Sequence, residues 1–329
     1  MREQEAGCVQ DASARAQAWT RYWASGARHS CTGSFDDHYG TATQAFWRAQ
    51  FLAINAKERV LELGCGNGSL IRLLNDADRK CWPARIDGVD LARLDAGWLD
   101  LLQPDLRTRV QVHPNTSAAA LPVADGEINW LFSQFALEYF ASEPVWRELA
   151  RVAAPSATIA AIMHHRGSHL FRLAQVEHAH CDWLLASGGP LDHAKRMLPL
   201  LAGGSEARQG GKALRMRTEF NAVFAALGER AVELGFGDVL HETAEKVMRI
   251  LSVAETRGES ESASALDELM CSVQGNRLRV AELAAHALDD DALEGWAQRL
   301  RSMGFADIEI GEVIEHGHLV GWRLCARRR

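Results

Sequence analysis

At 329 residues with 47% hydrophobic content, the chain is long enough for one large domain or two ordinary ones, and a disordered or fibrous protein is excluded. With 36 Lys+Arg against 43 Asp+Glu the formal charge is −7, so no overall positive field draws in a polyanion and nucleic acid is disfavoured as a partner. The seven cysteines are scattered without a CxxC pair, which suggests neither a disulfide framework nor a zinc knuckle.

The segment 1–19 is charged on both sides of its apolar residues and lacks the h-region of a secretory signal, so a cytoplasmic protein is expected. Residues 1–54, rich in aromatics (Trp19, Tyr22, Trp23, Phe35, Tyr39, Phe46, Trp47) and broken by glycines, predict an N-terminal cap of short helices joined by loops. From 55 to 165 short apolar runs alternate with longer segments. The runs are Arg59–Leu63, Arg85–Asp90, Arg109–Val112, Ile128–Phe132 and Ala157–Met163, and the gaps between them are long enough for crossover helices. This alternation predicts an α/β core with a doubly wound parallel sheet. The uncharged apolar stretch in the middle of the chain, Val152–His165, is shorter than the ~18–20 apolar residues of a membrane span, so no membrane partner is expected.

Strand signals then stop, and 166–290 reads as a large helical insertion. Its loops around 203–211 and 259–264 are Gly-rich or Ser/Glu-rich, and the helical pattern at 243–256 offers a face for a homodimer in place of a lid role. Within it, His178 and His180 stand two apart and diverge on a helix, while His165 and His169 make a single i,i+4 step; no metal is assigned. The segment 291–329 predicts an amphipathic helix and an antiparallel hairpin, Ala306–Ile314 and His318–Ala326, completing a seven-stranded sheet.

The run Val60-Leu-Glu-Leu-Gly-Cys-Gly-Asn-Gly places glycines at 64, 66 and 68 between a strand and a helix, where a backbone without Cβ turns tightly and approaches a ligand. Ser69 stands where the dinucleotide fingerprint requires its third glycine, which weakens a nicotinamide or flavin reading. Glu62 before the turn suits an amino group better than a pyrophosphate of like charge. Asp90, 22 residues after Gly68 at the end of the second strand, is placed to accept hydrogen bonds from both ribose hydroxyls, with Leu91 beside it to pack on a base.

Together these segments resemble the class I S-adenosylmethionine-dependent methyltransferases, a Rossmann-like family. The resemblance covers about 55–165 and 291–326, and leaves out the cap and the insertion. It continues in Ser117-Ala-Ala-Ala-Leu-Pro-Val, similar to the family's acid-Ala-x-x-Leu-Pro-Phe, and in the turn Ala154-Pro-Ser before the fifth strand. It implies S-adenosylmethionine as cofactor and S-adenosylhomocysteine as product. The implied binding residues are Glu62, Gly64, Cys65, Gly66, Asn67, Gly68, Asp90, Leu91, Ser117, Ala118 and Ser133. Ser117 and Ala118 replace the acid and its neighbour that flank the adenine in the family, which leaves Asn115 and Thr116 as alternative partners.

Methyl transfer is an in-line displacement, so the main task is to hold a nucleophile at ~3–3.5 Å on axis. Phe135, Glu138 and Tyr139, after the fourth strand, are candidates for lining the substrate or for the first turn of a crossover helix. His164 and His165, at the carboxyl end of the fifth strand, are candidates for a general base. The Asp/Asn-Pro-Pro-Tyr/Phe signature of enzymes methylating nucleobase amines is absent. The expected function is methyl transfer to an O or N atom of a small molecule beneath a lid formed by cap and insertion. A protein or peptide methyltransferase and a catalytically silent cofactor-binding module are the alternatives.

Overall fold

The computed structural model describes residues 2–31, 39–77, 81–203 and 209–329, with side chains from residue 13 onward. Phe35 and residues 204–208 of the Gly-rich loop lie outside the described residues. Two compact units are distinguished: Met1–Arg172 with Glu282–Arg329, and Leu173–Ala281. The insertion expected at 166–290 contains the whole of the second unit, while its flanks 166–172 and 282–290 and the cap residues fall in the first.

The first unit is built on a seven-stranded sheet in the order β3-β2-β1-β4-β5-β7-β6. Strands β1 (Arg59–Leu63), β2 (Arg85–Val89), β3 (Val110–His113), β4 (Ile128–Gln134) and β5 (Ala153–His164) pair in parallel. β6 (Phe305–Glu315) and β7 (His318–Arg328) join antiparallel through β7 on β5. The fold is therefore the doubly wound Rossmann-like sheet with an antiparallel C-terminal hairpin. Two residues close that hairpin, His316 and Gly317, both at positive φ, which matches the twist of the flanking strands.

Period-two alternation sends successive residues to opposite faces of the sheet. Leu61, Leu63 and Leu131 pack in one apolar layer with the helix Glu143–Val152 and its buried Val145, Trp146 and Leu149. Val60, Trp130 and Phe132 pack in the other, with Trp47 and Phe51 of the helix Thr41–Ala53.

Two local expectations are corrected. The cap opens with one 23-residue helix, Arg2–Ala24, where short helices had been expected, because its run of Ala, Glu, Gln and Arg is interrupted by a single glycine. Between β3 and β4 there is no crossover helix among the described residues: 114–127 runs as turns. That connection is pinned from the helix Glu143–Val152, where Glu148 accepts the Leu121 N–H at 2.6 Å and Arg151 donates to the Val123 carbonyl at 3.0 Å.

The second unit, Leu173–Ala281, is helical, with a core that includes Cys181, Leu184, Leu191, Phe220, Leu240 and Leu266. His180 is fully buried there with both ring nitrogens engaged, Nδ1 by Arg230 Nε at 3.1 Å and Nε2 by the Gly235 carbonyl at 2.9 Å. His178 faces Asp182 one turn on. No cluster of three potential metal ligands occurs among the described residues. None of the described helices is long and apolar enough to cross a membrane.

Candidate active site

The carboxyl ends of β1, β2 and β4 open into a cavity within the first unit. Its core side includes Glu62, Gly64, Cys65, Asp90, Leu91, Thr116, Ser117 and Ala118. Its cap side includes Arg15, Trp19, Trp23, Ser30 and Tyr39. Gln134, Phe135 and Tyr139, which follow from the end of β4, complete the wall.

The glycine turn adopts left-handed conformations at Gly64, Gly66 and Gly68, with φ of 70°, 47° and 71°. A Cβ on Gly64 would overlap Ala136, one on Gly66 would lie 2.7 Å from Trp23 Cε2, and one on Gly68 would meet the Trp98 ring. The turn is fixed from below by Asp90, whose Oδ2 accepts the Gly66 N–H at 2.9 Å and whose Oδ1 accepts the Ala92 N–H at 2.8 Å. From above it is tied to the cap: Asn67 Nδ2 donates to the carbonyls of Trp23 and Ala27 at 3.0 and 2.8 Å.

Glu62 is 3% exposed and its Oε2 has no hydrogen-bond partner. Burial, reinforced by the charge of Asp90, pushes its carboxyl up to about 8. Burial also raises Asp90, to about 6, against the lowering pull of its two N–H donors. Burial raises the Cys65 thiol, which removes it as a nucleophile near neutral pH. A buried acid with an orphaned oxygen and a half-buried acid, sharing one cavity, call for a ligand that brings positive charge and hydroxyl groups.

Of the residues named from sequence, Glu62, Gly64, Cys65, Asp90, Leu91, Ser117, Ala118, Phe135 and Tyr139 line this cavity. Gly66, Asn67, Gly68 and Ser133 shape it from behind, Ser133 by donating Oγ to the Leu63 carbonyl at 3.1 Å. Of the two alternative adenine partners, Thr116 is on the wall.

Glu138 and His164 form a buried pair beneath it. Glu138 Oε1 accepts both the backbone N–H and Nδ1 of His164, at 2.8 and 2.7 Å, and the Tyr139 hydroxyl lies 3.4 Å from the same Nδ1. Phe135 lies over that imidazole at 4.4 Å between centroids and holds a φ of 50°, a costly value for a side chain of its size. His165 is turned elsewhere, stacked on Trp322 at 4.2 Å with its Nδ1 accepting the Gly167 N–H. Arg15, Trp19 and Gln134 were not named as site residues from sequence, because nothing in the local pattern brings a first-helix side chain or a strand-end amide to a glycine turn so distant in the chain.

A parallel sheet with a glycine turn after β1 and an acid after β2, around one cavity at the carboxyl edge, defines a nucleoside-binding α/β domain. Residues 61–161 match the family model described as a methyltransferase domain, and that segment is a methyltransferase domain of the class I S-adenosylmethionine-dependent type. No curated protein matches the chain.

Among solved structures, one is the Haloferax volcanii complex between the Trm112 methyltransferase activator and a methyltransferase. It is 21% identical, covers 45% of this chain and 60% of that one, and has a TM-score of 0.37. An S-adenosylmethionine-dependent methyltransferase from Mesorhizobium loti is 20% identical over 41% of this chain and 57% of that one, with a TM-score of 0.32. Haemonchus contortus phosphoethanolamine N-methyltransferase 2 in complex with S-adenosyl-L-methionine is 13% identical over 87% of this chain and 52% of that one, with a TM-score of 0.34. The chain thus spans less than two thirds of the length of each.

Proposed function

We propose that the protein transfers a methyl group from S-adenosylmethionine to an O or N atom of a small molecule. The observation that carries this reading is the single cavity wall shared by the glycine turn and the aromatic side chains Trp19, Trp23 and Tyr139. Glu62 is positioned to hold the cofactor's ammonium, Asp90 its ribose, and Leu91 with Thr116–Ala118 its base. When bound, the cofactor supplies an electrophilic methyl group. The protein's part is to orient the acceptor and exclude water, and aromatic walls suit an apolar or planar acceptor.

A neutral amine needs only to be positioned. A hydroxyl acceptor gains from a base, and Tyr139 is the wall residue next to the Glu138–His164 pair. With labelled S-adenosylmethionine and a panel of phenols, amines and peptides, label is expected in a phenol or amine. Label in peptides alone would favour a protein methyltransferase, and binding without transfer would favour a silent module. Tyr139→Phe is expected to slow transfer to a hydroxyl by about 10²-fold and to leave an amine acceptor within a few-fold. Equal losses on both acceptors would remove the proton-handling role.

The raised carboxyls set a pH dependence. Glu62 ionises near 4.5 in a solvated chain and at about 8 here, so the ligand-free fold holds the extra proton. The stability this contributes is complete below 4.5 and is lost as pH rises through about 8. Binding a cation requires that proton to leave. Affinity for S-adenosylhomocysteine should therefore rise between pH 6 and 8, by up to about tenfold per unit, with proton release visible as a buffer-dependent binding enthalpy. An affinity flat over that range would show that Glu62 does not meet the ammonium.

A further inference from the structure

Gln134, the last residue of β4, is 7% exposed and lies on the cavity wall. Its amide orientation is fixed, because the indole N–H of the fully buried Trp47 donates to Gln134 Oε1. That leaves Nε2, with its two hydrogens, aimed away from Trp47, and it has no partner. A buried amide NH₂ without an acceptor is destabilising, so its place on a cavity wall points to an acceptor on the ligand.

A second orphan stands close by on the same face of the sheet. Glu62 on β1 pairs with Phe132 on β4, and Gln134 is the next residue on that face of β4. One strand over and two residues along places the two backbones ~8 Å apart, within reach of two converging side chains. One orphan is an acceptor that favours positive charge and the other is a donor that favours an oxygen. A group presenting an ammonium and a carboxylate on one carbon satisfies both.

We propose that Gln134, held by Trp47, receives the carboxylate of the cofactor's amino-acid end while Glu62 receives its ammonium. The assignment rests on the cofactor reading above. It uses a neutral donor for the carboxylate. The cavity's cation, Arg15, is engaged by Glu282 at 2.5 Å.

The test is calorimetric titration of three ligands: S-adenosylhomocysteine, its decarboxylated analogue, which keeps the ammonium, and 5′-methylthioadenosine, which lacks the whole amino-acid end. Gln134→Leu is expected to weaken S-adenosylhomocysteine by tenfold or more and to leave the other two within about twofold of wild type. Trp47→Phe, which frees the amide to turn, should show the same pattern in weaker form. Should Gln134→Leu fail to fold, the wild type still decides the question: decarboxylation should cost S-adenosylhomocysteine at least tenfold.

Equal affinity of wild type and Gln134→Leu for S-adenosylhomocysteine, or equal losses on all three ligands, would overturn the assignment. So would free methionine binding alongside 5′-methylthioadenosine with a dependence on Gln134, which would transfer the site to a separate amino acid. Wild type that binds none of the nucleosides would overturn the cofactor reading itself.

Discussion

Gly66→Val is expected to lower affinity for S-adenosylhomocysteine by at least about 100-fold, the largest loss foreseen from a single change at the cavity. Gly66 has a φ of 47°, and a left-handed backbone costs a non-glycine residue about 1–2 kcal/mol, more when it is β-branched. The new Cβ would also lie 2.7 Å from Trp23 Cε2, so either the indole leaves the cavity wall or the turn moves. If the turn moves, the Gly66 N–H leaves Asp90, and the acid proposed for the ribose loses a donor that fixes it. Because the overlap begins at Cβ, Gly66→Ala should lose nearly as much as valine. Calorimetry with tryptophan fluorescence would separate the two routes, since displacement of Trp23 alters emission before any ligand is added. Wild-type affinity in the valine variant would refute this account of the turn.

Trp47→Ala is expected to cost the first unit about 3–5 kcal/mol, with a further contribution from the stranded Gln134 Oε1. Trp47 is fully buried, 5.2 Å from Phe132 and 6.2 Å from Phe51 between ring centroids. No neighbouring side chain replaces an indole without a cavity. In denaturant unfolding followed by circular dichroism, the loss should fall on the transition of the sheet-containing unit and spare that of Leu173–Ala281. A loss below about 1 kcal/mol would mean that the helix Thr41–Ala53 repacks and that Trp47 does not anchor this layer.

Much of the sheet could be read along the chain because each strand is a short apolar run with its own period. Arg59–Leu63 matches the observed β1 residue for residue, and β2 and β4 start where expected. The 3₁₀ turn at Ala96–Leu101 and the missing crossover between β3 and β4 could not be read this way. In the β3–β4 connection the backbone is held by distant partners, Glu148 and Arg151, and local propensity does not decide it. His164 and His165 show the same limit at the site. His164 ends β5 and His165 is the first residue beyond it, turned to the other side, so one imidazole is buried against Glu138 and the other stacks on Trp322.

By itself the sequence determined the glycine turn, the acids at 62 and 90, and the succession of strands along the chain. These features are local: a backbone that needs positive φ and a residue that ends a strand leave their mark within a few positions. Only the tertiary structure decided that Trp47 fixes the Gln134 amide, that Asn67 ties the turn to the cap, and that Arg15, Trp19 and Trp23 face Glu62 and Asp90 across one cavity. Such contacts join residues dozens of positions apart, and a side chain's partner across that distance is selected by packing of the whole layer, which no local pattern records.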